Sequence, residues 1–142
     1  MSPTKRIIIF SALGLLAIGA IVAYYLYNKG PVDVKNASGI KVVATELYQT
    51  FSQDSLLAKN KYTNKILEVS GTVSKISKNQ DNNDVILLKT NELDAFINCT
   101  MEGPAGNIRV SDNVIIKGIC NGILSDFGIL GDLSLARCYV TK

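Results

Sequence analysis

Three cysteines, Cys99, Cys120 and Cys138, are the side chains best suited to chemistry, and the chain has no histidine to work beside them. They stand 21 and 18 positions apart with no C-x-x-C pair. A closed zinc site takes four ligands, usually thiolates and imidazoles at short paired spacings, so this set would need a carboxylate to complete it. No metal and no other cofactor is expected. The missing histidine also removes the commonest general base and the usual activator of a serine or cysteine nucleophile. Asp126 and Asp132 form an acidic pair, but Gly128 and Gly131 surround them and no base accompanies them, so they read as turn residues. With no nucleophile and base to name, the expectation is a protein that is not an enzyme.

Each cysteine instead falls in a stretch that alternates like a strand, where a thiol packs as a small apolar group. Outside the cytoplasm two of the three could pair and leave the third reduced. Core thiols and a single disulfide both fit the pattern. Asn36-Ala37-Ser38 and Asn98-Cys99-Thr100 match the glycosylation tripeptide, a match too common to assign a function.

Charge narrows the partners. The 142 residues carry a formal charge of +3, all of it in the first 36, where Lys5, Arg6, Lys29 and Lys35 face Asp33. From Ala37 onward 11 basic residues balance 11 acidic ones. Affinity for nucleic acid comes largely from clustered Lys and Arg that neutralise phosphates, so nucleic acid is not the expected partner.

Ile7 to Leu26 is a run of 20 residues without a charge, bounded by Lys5 and Arg6 before it and by Asn28 and Lys29 after it. At 1.5 Å per residue it spans about 30 Å, the thickness of a hydrocarbon core. Tyr24, Tyr25 and Tyr27 gather at its distal end, where amphipathic rings favour the water interface. The run exceeds the apolar region of a signal peptide and lacks a small-x-small cleavage site, so an uncleaved anchor is expected. Lysines on both sides nearly balance the positive-inside count. The short tail resembles a signal-anchor n-region, which favours a single-pass protein with its soluble domain outside the cytoplasm.

The predicted organisation is a tail and transmembrane anchor over residues 1–27, a tether over 28–38 and one domain over 39–142. Val43, Leu47 and Phe51, with Ala44 and Tyr48, make the stripe of an amphipathic helix, and Asp54 can cap a second helix running to about Tyr62. After Asn64 the period becomes two. Leu67, Val69, Gly71 and Val73 share a face while Ile76 is out of phase, which predicts a bulge or bend. Further strands are predicted at Val85–Leu88, Ala95–Met101, Val114–Cys120 and Leu133–Val140, with a loop from Gly122 to Gly131. The fold class is mainly β, a small barrel or sandwich of five strands behind the amphipathic helix.

The stretches ATELYQTFSQDSLLAKNKY, NKILEVSGTVSKI, VIIKGICNGILSD and LSLARC together resemble the bacterial tRNA_anti-like family over about Val43 to Val140. The most specific pieces are G-x-V-x-x-I at Gly71 to Ile76 and K-G-x-C-x-G at Lys117 to Gly122. The resemblance implies a five-stranded OB-type barrel, often behind a membrane or lipid anchor, and carries no catalytic residues. In an OB barrel, ligands lie on the face of the second and third strands and beside the loops after the first and fourth. Lys89, Phe96 and Asn98 are then the ligand-binding candidates, with Arg137 and Tyr139 alongside from the last strand. An exposed Phe96 would be a stacking platform; a buried one would be core. The function expected is a membrane-tethered binding module for a protein or small cell-envelope ligand, with an oligonucleotide-binding domain as the alternative.

Overall fold

The uncharged run folds as one helix, α1 (Pro3–Asn28), with proline in its first turn, where no backbone donor is lost. None of its side chains is buried, and it is long and apolar enough to cross a membrane, as a signal sequence would also be. The structure, a computed structural model, describes residues 2–126 and 129–141. It divides into two compact units, Met1–Val32 and Asp33–Lys142.

The second unit begins with a turn in which the Asn36 amide groups donate to the Asp33 carboxylate at 2.7 and 3.3 Å. Val34 is 1% exposed. Residues 33–38, within the stretch read as a tether, are held on the barrel by the buried Lys117. Its ammonium donates to the carbonyls of Ala37 at 2.9 Å and Lys35 at 3.4 Å and sits 3.4 Å from the Glu68 carboxylate. The chain then forms a short strand, β1 (Ile40–Val43), that the sequence pattern does not reveal. Four residues are too few to show an alternation. Val43 consequently leaves the predicted helical stripe and is 47% exposed at the end of the strand.

Helices α2 (Ala44–Gln53) and α3 (Ser55–Tyr62) follow the predicted pattern closely. Ala44, Leu47, Tyr48 and Phe51 are buried at the spacing of one helical face. The Asp54 carboxylate accepts the Leu57 N–H at 3.0 Å and caps α3. The Phe51 and Tyr62 rings meet with centroids 6.2 Å apart, which joins the two helices through the core.

The remaining strands are β2 (Ile66–Lys78), β3 (Asp84–Lys89), β4 (Phe96–Met101), β5 (Asn113–Asp126) and β6 (Ile129–Val140). The sheet runs β1-β2-β3-β4-β6-β5, and β5 returns to β2, so the last five strands close into the expected barrel while β1 adds a sixth strand beside it. Within the barrel, β2 serves two neighbours along its length. Ile66 to Thr72 pair with β5, Val73 to Lys78 pair with β3, and the register shifts between Val73 and Lys75, where the sequence changes phase.

The predicted loop from Gly122 to Gly131 is not a loop over its described residues. β5 continues to Asp126 and β6 starts at Ile129 instead of Leu133, with Ser125 opposite Leu130; residues 127 and 128 and the Asp126 side chain lie outside the described residues. Register shifts between Cys120 and Gly122 and between Ile123 and Ser125 break the alternation that would have marked this hairpin.

Two of the three motif glycines, Gly71 and Gly118, are explained by close approach. A Cβ on Gly71 would lie 2.9 Å from the Ala44 Cβ, so the start of α2 rests directly on β2. A Cβ on Gly118 would lie 2.5 Å from the Cys138 sulfur and 3.2 Å from the Ala136 carbonyl. Gly118→Ala is therefore expected to cost about 1–3 kcal/mol by overpacking. Thermal melts of Gly118→Ala, Cys138→Ala and the double variant measure this. The double variant should lose less than the sum of the singles, and strict additivity would contradict the contact.

Candidate functional site

Alternation along β4 sorts its side chains. Ile97, Cys99 and Met101 are buried in the barrel, whereas Phe96, Asn98 and Thr100 are half-buried on the outer face. Register then assembles that face. Asn98 lies between Leu87 of β3 and Ser134 of β6, and Phe96 lies beside Lys89. Phe96 thus stands between the two expectations, part core and part surface. Its backbone N–H donates to the Asp132 carboxylate at 2.9 Å, so Asp132 ties β6 to the start of β4.

Arg137 and Tyr139 are engaged elsewhere, by Glu102. The Arg137 guanidinium meets both Glu102 oxygens, Nε at 3.1 Å and Nη2 at 3.3 Å, and the Tyr139 hydroxyl donates to the same carboxylate at 2.7 Å. Arg137 has φ 53°, in the left-handed region, at a register shift between β4 and β6. Nothing in the sequence identifies Glu102 as a partner, because the residues that meet it follow 35 and 37 positions later. The five sequence-predicted residues therefore form two groups: Lys89, Phe96 and Asn98 on β3 and β4, and Arg137 with Tyr139 around Glu102.

All three thiols are buried and unpaired by disulfides. The Cys99 thiol donates to the Ile97 carbonyl at 3.8 Å; the neighbouring Cys138 thiol first, then full burial, push its pKa well above the ordinary value. Burial likewise raises Cys120. A raised pKa keeps Cys99 and Cys120 as thiols rather than thiolates at neutral pH. Among the described residues no cluster of three or more His, Cys, Asp or Glu could hold a metal.

Two concavities flank the outer face. One, of about 580 Å³, is lined by Val43, Ser70, Thr72, Lys89 and Ile115, among others, and among the described residues Lys89 is the charged member of its lining. The other, of about 530 Å³, lies between α2 and the β3–β4 connection, with Tyr48, Glu92 and Asp94 in its wall and Leu93 94% exposed beside it. The Tyr48 hydroxyl donates to the Gly131 carbonyl at 3.3 Å; burial first, then the charges of Glu92 and Asp132, raises its pKa.

The hydrogen bonds from Tyr139 and then Arg137 hold Glu102 below its ordinary value of 4.5. A carboxylate depressed on folding adds stability that is present above its unfolded pKa and is lost as pH falls through the folded one. Asp84, lowered first by the Ala105 N–H and then by Lys78, acts in the same direction from an ordinary 3.8. Urea midpoints followed downward from neutral pH should fall less steeply below about pH 4.5 in Glu102→Gln than in the parent. Parallel curves would contradict this role.

The chain belongs to the tRNA_anti-like family, which it matches over residues 1–132. Among solved structures it is similar to a candidate nucleic acid-binding lipoprotein from Klebsiella pneumoniae, with 18% identity and a TM-score of 0.52 over 79% of this chain and 99% of that one. At that identity the likeness shows the OB-type fold. Comparison with curated proteins gives no match.

Proposed function

We propose that the chain is a membrane-tethered, non-enzymatic OB-type binding module, with its barrel outside the cytoplasm and a protein or small cell-envelope molecule as its ligand. The observation that carries this reading is the character of the outer β3–β4 face. Its row of Leu87, Asn98 and Ser134 is uncharged, Lys75 of β2 (registered with Leu87) and Lys89 are two separate cations at its margins, and the Arg137 charge is met by Glu102. Such a face offers hydrogen bonds and apolar contact without the positive groove that a nucleic-acid backbone requires. The helix α1 supplies the tether.

A second reading, oligonucleotide binding, is favoured by the description of the Klebsiella lipoprotein and by the partly exposed Phe96 ring. OB barrels host many unrelated functions, so the fold does not choose between the two. One experiment in two stages does. Membranes from cells making the full chain are extracted with carbonate, and the retained protein is reconstituted and titrated with a fluorescent mixed-sequence oligonucleotide at physiological salt. The chain should stay with the membrane and bind the oligonucleotide no tighter than about 1 mM. Release into the soluble fraction would overturn the tether. A micromolar complex that weakens steeply with salt would replace the first reading by the second.

A further inference from the structure

The groove that contains Lys89 sits where the pairing along β2 changes hands. β1 is registered with β2 as far as Ser70, opposite Val43, and β3 takes over at Val73, opposite Leu88. Gly71 and Thr72, between them, are registered with neither, and both line the groove. Val43, 47% exposed, and Ile115, 39% exposed, give it apolar walls. Ser70, Thr72 and Asn113 supply hydroxyl and amide groups between those walls. Lys89 is exposed, and among the described residues no carboxylate lines the groove, so the charge that they present is positive.

β1 is also the terminal strand of the sheet order, with β2 as its neighbour on one side. A strand with an open edge is a template for another strand, and recognition by strand addition uses main-chain hydrogen bonds for affinity and side-chain pockets for specificity. An added strand running parallel to β1 brings its C-terminus to the Val43 end, where the groove opens. Its volume of about 580 Å³ lies within the range of ligand pockets, roughly 300–1,000 Å³.

We infer that this groove is a peptide-binding site that takes the C-terminal end of an extended protein segment, its last apolar side chain between Val43 and Ile115 and its carboxylate at Lys89. Charge complementarity selects the occupant, because an apolar slot with one cation and no anion favours an apolar residue that carries a free carboxylate. The site rests on the reading of the chain as a binding module for protein, and it meets the Phe96 and Asn98 face at Lys89.

The probe is a fluorescein-labelled hexapeptide, Ser-Thr-Val-Thr-Val-Val, made as the free acid and as the C-terminal amide and titrated into the full chain in lipid nanodiscs. The free acid should saturate and the amide should bind at least tenfold more weakly. Lys89→Gln should weaken the free acid about tenfold while leaving the amide unchanged, and Ile115→Asp, at an exposed position, should weaken both. Absence of saturation by the free acid up to about 1 mM, equal binding of acid and amide, or insensitivity to Lys89→Gln would each overturn the site. Decanoate that displaces the peptide at a lower concentration than unlabelled peptide does would also overturn it, in favour of a small amphiphile. Oligonucleotide titrated in the same nanodiscs keeps the two readings separate. Failure of the peptide alone removes the groove, whereas micromolar oligonucleotide binding removes the broader reading.

Discussion

The barrel depends on one strand being bent enough to belong to two parts of the sheet. β2 gives its first half to β5 and its second half to β3, and the register shift after Val73 lets the two halves point in different directions. A regular strand of the same 13 residues would have kept one neighbour along each edge and left an open sheet. The bend has two further effects. It leaves the edge of the first half available, where β1 pairs, and it brings Gly71 to the place where the start of α2 comes down. The helices before the barrel, with Leu47, Phe51, Ala58 and Tyr62, then join one continuous core with Leu67, Ile97, Ile116 and Leu135 from the strands.

Features that rest on neighbouring residues were legible in the sequence, and features that rest on distant ones were not. The phase change from Val73 to Ile76 announced the bend, the spacing from Ala44 to Phe51 announced α2, and Asp54 announced the start of α3. Glu102 could not be read as the centre of a cluster, since its partners arrive from β6 with a left-handed residue, Arg137, at the bulge. The β5–β6 hairpin was hidden because its register shifts scatter the apolar positions. Lys89 was legible as an outward-facing residue of β3. Its groove was not, because the walls come from the end of β1, the middle of β2 and the start of β5.

The two sequence motifs that carry the family resemblance have packing roles. Gly71 admits α2, Gly118 admits the Cys138 sulfur, Cys120 is core, and Gly122 has φ +98° at a register shift. Lys117 holds the segment that joins the barrel to α1. Only Lys29 to Val32 then lie between the end of α1 and the start of the second unit. The binding face proposed for the barrel is built from hydrogen bonds and apolar contact more than from charge.

The most direct test of that account places a photoreactive amino acid at Asn98 or at Lys89 of the full chain and irradiates living cells. A module for protein ligands predicts cross-linked adducts that resist nuclease and collapse on protease treatment. Adducts from position 98 that collapse on nuclease treatment would show the outer face to be a nucleic-acid surface and would contradict the account.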